Sequence, residues 1–391
     1  MPVLRKEFLF LRFGLVFGFV LMLAACQPLP NEMDGTEAIT EIDHPTATAT
    51  QVIATQTDTP EPTISPSETP APTSTYTPTP IPQTRLLFTG VIVPARCVQA
   101  AIDEYQDSDY LYDEIRDVVQ GADLAIGTLN ATISDYPPRT GCVPTYVLVG
   151  GSENADALER AGFDLMSVAT NHIKNCGLNN CGDQAFFDTL DNLERVGIQP
   201  VGAGENLQKA LEPVVVEMNG VRFGFVSLGQ LEPIAFAAED TPGIAVLTED
   251  NLRSAILDAE EVSDVVIVMP HWGPEDVPLP NWSQRDLAQV AVEAGADLVV
   301  GNHTHVVQAI QEIDGVMVFY GLGNFVFDQS WDLHHQQGVI LVAIFQGNEL
   351  VDYQLIPTHV DFDGRVHIAG EPEAGQILDR IAEVSRSLPQ N

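Results

Sequence analysis

The sequence predicts an α/β domain in which mixed β-sheets are covered by helices. Three observations predict it. From Arg85 onward, short β-rich apolar runs alternate with amphipathic stretches. Two of the runs, "DVVIVM" and "ADLVV", are apolar throughout, as strands packed on both faces require. Further strands then follow one another toward the C-terminus, a pattern that belongs to mixed sheets backed by helices.

The elements follow in order. "RLLFTGVIV" and "DLAIGTLNATI" read as strands, and "FDLMSVAT" as a third that runs into "NHIKNCG". "DQAFFDTLDNLERVG" is a helix with one apolar face, stopped at Gly197. "PVVVEMNGVRFGFVSLG" is a hairpin turned by Asn219-Gly220. "LTEDNLRSAILDAEEV" is a helix whose acidic first turn suits its dipole. "DVVIVMPHWG" is a strand and loop, and the helix "SQRDLAQVAVEAG" leads into the strand "ADLVVGNHTH". "GVMVFYGLGNFVF" and "GVILVAIFQGNELVDYQLIPTHV" close the chain as strands. Residues 85–391 read as one domain without internal repeats.

What precedes this domain has a different character. Arg5, Lys6 and Arg12 flank an apolar stretch ending in "LAAC", which reads as a secretory signal of residues 1–26. The ending resembles the lipobox of bacterial lipoproteins, and that resemblance implies cleavage before Cys26 and a lipid on its thiol. The alternative is an uncleaved anchor. Residues 27–84 hold eight acidic residues and eleven prolines but no lysine or arginine, the composition of a disordered Pro/Thr/Ser stalk. The expected location is therefore outside the bacterial cell membrane, on a lipid anchor.

Across all 391 residues, 55 acidic side chains face 17 basic ones, a formal charge of -38. Phosphate backbones would repel such a chain, which excludes nucleic acid as a partner. Oligomeric state is left open. Four cysteines remain besides Cys26. Cys176 and Cys181 bracket a short turn and pair with each other, which leaves Cys97 for Cys142. A four-cysteine zinc site is the alternative, although C-x-x-C hooks are lacking.

The nine histidines carry the functional signal. Asn171 and His172 follow one strand, His271 ends another, and His303 and His305 follow a third. In α/β sheets the carboxyl ends of strands gather at one edge, where ligands bind. If "GNHTHVVQ" is extended, His303 and His305 point the same way. Asn171, His172, His271, His303 and His305 would then surround a divalent ion such as Mn, Zn or Fe. Such an ion lowers the pKa of a water and polarises a phosphoryl or carbonyl oxygen. One histidine left unligated, among His172, His271 and His305, would serve as general acid.

The blocks "ATNHIKNCG", "PHWGPED", "GNHTHVVQ" and "GLGNFVFDQ" occur together and in order. In this they resemble the capsule-synthesis CapA family, tied to poly-γ-glutamate synthesis and export. The resemblance spans Arg85 to about Pro357. It implies a calcineurin-like metallophosphoesterase fold, a four-layer α/β/β/α sandwich. It also brings forward Asn324, as a holder of ligand or loop, and Arg96, as a phosphate or carboxylate contact. Arg139 is a second such contact.

The chain departs from the family at three acidic positions. Val91 stands where an Asp is usual, "TLNATIS" has no carboxylate at Asn130 or Ala131, and Asn175 replaces another Asp. Two cations close together repel strongly without a bridging carboxylate, so one ion is expected rather than two. Glu275 and Asp276 offer substitute carboxylates, or are solvated loop charges. The expected function is extracytoplasmic work on an anionic envelope polymer, poly-γ-glutamate or a related one, by metal-assisted hydrolysis or transfer. A non-catalytic polymer-binding descendant is the alternative.

Overall fold

A computed structural model describes residues 82–174 and 183–388. Cys26, the stalk up to residue 81, Asn175, Cys176 and Cys181 lie outside the described residues, and Gln83 and Thr84, expected at the end of the stalk, instead begin the first strand by pairing with Gln346 and Phe345. Among the described residues, no helix is long and apolar enough to cross a membrane.

Two sheets dominate. The first is eight-stranded and centres on Gln83–Ile92, which pairs in parallel with Leu124–Leu129 and antiparallel with Gln337–Gln346. Leu165–Ser167 and Gln199–Val201 extend it on one side in parallel. The second is six-stranded and centres on Val265–His271, parallel to both Val221–Gly229 and Leu298–Val300. Val214–Met218 forms the expected hairpin with Val221–Gly229, and Asn219 takes the left-handed conformation before Gly220.

Three apolar clusters show how the layers stack. Leu86, Phe88 and Ile126 of the first sheet pack with Phe223, Phe225 and Ile267 of the second, so the sheets lie face to face. The Phe223 and Phe345 rings meet edge to face at 5.3 Å across that interface. The outer face of the first sheet carries Val98, Ile102, Leu158 and Leu190 from helices. The outer face of the second carries Leu252, Ile256, Leu287 and Ala291. The order is therefore α/β/β/α, a four-layer sandwich. A buried bond of 2.8 Å between the Ser167 and Ser227 hydroxyls ties the facing sheets near the ends of their strands.

Local chemistry sets the helix starts. Thr248 caps Glu249–Val262 by accepting from the Asn251 N–H. Asn281 and Gln284 form a capping box at Trp282–Glu293.

The observed elements differ from expectation in two places. "GVMVFYGLGNFVF" is two strands in different sheets, because Val316–Phe319 joins the second sheet and Asn324–Val326 the first. Gly323 makes the switch at φ 77°. The chain also does not close on strands. Helix Glu373–Arg386 ends it, burying Ile377 and Ile381 four residues apart on one face.

Cys97 and Cys142 are disulfide-bonded across 45 residues of sequence. The bridge fastens the irregular segment before Leu148 to the start of helix Cys97–Tyr105. Replacing both cysteines by serine should lower unfolding free energy by about 2–4 kcal/mol, the chain-entropy scale for a loop of this length. An unchanged denaturant midpoint for the double variant would contradict this.

Candidate metal centre

The carboxyl ends of both sheets converge. Asn171 and His172 follow Leu165–Ser167 of the first sheet, and His271 ends its strand in the second. The His271 Nε2 lies 2.9 Å from Asn171 Oδ1 and 3.2 Å from His303 Nδ1. Donors on one ion stand about 2.9–3.4 Å apart when their bonds are about 2.0–2.1 Å long. Both distances from His271 Nε2 fall in that range.

Their protonation also favours a cation. If the His271 proton is on Nδ1, its Nε2 lone pair faces the Asn171 oxygen with nothing between them. If the proton is on Nε2, the buried Nδ1 has no donor to meet it, for that atom has no hydrogen-bond partner. A cation among Asn171 Oδ1, His271 Nε2 and His303 Nδ1 would engage the His271 Nε2 lone pair and remove its clash with the Asn171 oxygen, with the proton then on Nδ1, which has no acceptor among the described residues.

The expected extended form of "GNHTHVVQ" is not found. His303 has φ 103° and His305 φ 59°, so the strand stops at Val300 and the chain turns left-handed twice. The two rings nevertheless come within 5.9 Å. The Nε2 of each lies 4.0 Å from Glu275 Oε1, and these three side chains form a second candidate ligand group. His303 thus faces one group through Nδ1 and the other through Nε2. Neutral imidazole has one lone pair on nitrogen, so His303 serves one ion at a time.

The missing acids leave apolar or amide surroundings. Val91 and Ala131 are fully buried and offer no ligand. Asn130, also fully buried, accepts the His172 N–H through Oδ1, while its Nδ2 has no partner. Glu275 is the carboxylate that sequence reading left undecided, and the turn after His271 brings it to the imidazoles. Burial, and then Asp276, raise its pKa.

His271, His303 and His305 are at most 3% exposed, and His172 8%. Burial holds all four imidazoles below the usual histidine range, helped by repulsion from neighbouring imidazoles at His271, His303 and His305 and by Arg96 at His172. His172 and His305 fall to about 4, His303 to about 3, and His271 well below its ordinary value. They are neutral at neutral pH. That suits ligands and does not suit the expected general acid, which must begin as imidazolium.

Asn324 has a different task from the expected substrate contact. Its Oδ1 lies 2.8 Å from His305 Nδ1, and its Nδ2 donates to Gln329 Oε1 and the His335 carbonyl. Fully engaged and buried, it orients the His305 ring. His335, which sequence reading passed over, bonds Asp276 through Nε2 at 2.6 Å.

A cavity of about 620 Å³ opens over the histidines and is lined in part by Tyr146, His172, Glu275, His305, Phe327 and Trp331. Arg96 also lines it, but its guanidinium is paired with Asp328, donates to the Thr145 carbonyl and covers the Phe327 ring. That makes it a brace for the wall more than a free anion contact. Arg139 is paired with Asp103 and Glu153, away from this cavity.

The metal-free protein should lose stability as pH falls from about 6.5 toward 4. The unfolded chain takes up protons on these histidines that the folded chain refuses, so the unfolded state gains below the ordinary histidine pKa. Thermal denaturation across that window checks it, and a melting temperature that stays level while these histidines titrate would contradict it.

Residues 85–329, more than half the chain, match the family described as bacterial capsule synthesis protein PGA_cap. The PGA biosynthesis protein CapA of Bacillus subtilis (strain 168) is 30% identical over 246 residues, 62% of this chain and 63% of that protein. The capsule biosynthesis protein CapA of Bacillus anthracis is 30% identical over 255 residues, 63% of this chain and 60% of that protein. The chain thus spans under two thirds of the length of either relative. A hypothetical protein from Thermus thermophilus superposes with TM-score 0.43 at 16% identity, covering 70% of this chain and 98% of its own. A putative 5'-nucleotidase from Staphylococcus aureus gives 0.42 at 15%, covering 77% and 58%. On the family match, the chain belongs to the bacterial capsule synthesis family PGA_cap.

Proposed function

We propose that the protein works outside the cell membrane, tethered by lipid on Cys26, on an anionic envelope polymer, poly-γ-glutamate or a related one. The observation that carries this is the donor set Asn171, His271 and His303, with Glu275 and His305, which share a ligand group with His303, lining an open cavity. The family match and the capsule-synthesis relatives support the polymer.

A divalent ion held there supplies Lewis acidity toward a phosphoryl or carbonyl oxygen and an acidified water. The residues do the rest. Asn171, His271 and His303 hold the charge in a buried place, where it offsets the repulsion an anionic segment meets from a chain of net charge -38. Asn324 fixes the His305 ring, so His305 presents Nε2 toward Glu275. Glu275 can accept a proton from an incoming hydroxyl or water. Hydrolysis or group transfer on the polymer is the reaction this arrangement favours.

A second reading is a non-catalytic polymer binder. The burial of Val91 and Ala131 as apolar residues favours it, since a two-ion centre then lacks a bridging carboxylate.

Bound metal in wild type and His303→Ala is the first test. The variant should hold at least about tenfold less Mn or Zn, because a direct ligand is gone. Equal metal content would remove the centre. Turnover of model phosphodiesters with added Mn or Zn then separates the two readings: none at all leaves the binder.

A further inference from the structure

The cavity over the histidines does not end at Trp331. A second hollow of about 340 Å³ adjoins it, and Arg96, Pro144 and Trp331 line both. This outer hollow rests on the Cys97–Cys142 bridge and is walled by Val143 and Phe362. The rims of the two hollows expose aromatic surface: Tyr146 of the inner one is 80% exposed, Trp331, shared by both, 67%, and Phe362 of the outer one 52%. Large apolar side chains left bare beside one pocket mark a place where something binds.

Charge narrows what that something is. Among the described lining residues, Arg96 is the one cation of the Lys/Arg type, and Asp328 neutralises it. The remaining formal charges, Glu275 and Asp276, are negative. A carboxylate in the outer hollow would meet no positive partner. A neutral ring bearing hydroxyls meets partners where the two hollows join. Its C–H face stacks on the bare indole of Trp331, and its hydroxyls reach Ser330 of the outer hollow and the Glu275 and Asp276 carboxylates and Gln329 amide of the inner one.

Deepening the function proposed above, and resting on it for the polymer, we infer that the joined hollows are a saccharide subsite. Trp331 is its stacking platform, Phe362 and Val143 bound its outer end, and Tyr146 faces it from the histidine side. Of the polymers proposed above, this selects a related anionic envelope polymer, with sugar rings next to the group that reaches the histidines, over poly-γ-glutamate, which has none.

The test is calorimetry, with tryptophan fluorescence, on the purified full-length protein. It is titrated with a β-1,4-linked N-acetylglucosamine tetrasaccharide, with maltotetraose, and separately with a poly-γ-glutamate oligomer. At least one glycan should bind saturably. Trp331→Ala should weaken that binding about tenfold or more, leave metal content unchanged, and be partly rescued by Trp331→Phe. The side chain is exposed, so the variant should keep the wild-type melting temperature. Absence of binding by both glycans overturns the subsite, as does equal affinity in Trp331→Ala. Trp331-dependent binding of poly-γ-glutamate alone overturns the sugar assignment yet keeps the envelope-polymer reading. The metal content of His303→Ala tests that reading on its own.

Discussion

Everything at the functional edge depends on burying four imidazoles where two sheets end together. His271 closes a strand of the second sheet, and its Nε2 meets Asn171 from the first and His303 from the turn beyond the next strand. A charged imidazole in that place would be costly to desolvate, so the rings stay neutral. Neutral rings packed with lone pairs facing inward leave acceptors unmet, and a cation bound among them would engage those lone pairs.

The backbone around the centre is bent to hold this arrangement. His303, His305, Asp276 and Arg96 all have positive φ, a conformation that is rare for residues with a Cβ. Such strain persists only where the surroundings over-determine it. Here they do. Asp276 donates its N–H to the Thr304 carbonyl and accepts from His335. Asp328 takes both the Arg96 guanidinium and the Cys97 N–H. The disulfide at Cys97 then carries the same brace into the cavity wall.

Much of this was legible in the sequence. The apolar runs "DVVIVM" and "ADLVV" are central parallel strands because their periodicity leaves no polar face. Asn219-Gly220 turns a hairpin because the chain there needs positive φ. The histidines that follow three strands meet, since parallel strands share one carboxyl edge. The parts that were not legible depend on tertiary placement. An extended "GNHTHVVQ" was the reasonable expectation from spacing, but His303 and His305 take positive φ just after Gly301, where Trp272 and Tyr320 leave no room for a Cβ. Asn324 reads as a ligand-holder in sequence and proves to be the orienter of His305, because only the fold shows what its amide meets. Glu275, in sequence either a substitute carboxylate or a solvated loop charge, comes within reach of His303 and His305 through the turn after His271.

The most direct measurement is anomalous diffraction from crystals soaked in Mn or Zn. The account predicts one strong peak within bonding distance of Asn171 Oδ1, His271 Nε2 and His303 Nδ1. An absence of density there, or a pair of ions without a shared protein carboxylate, would contradict it.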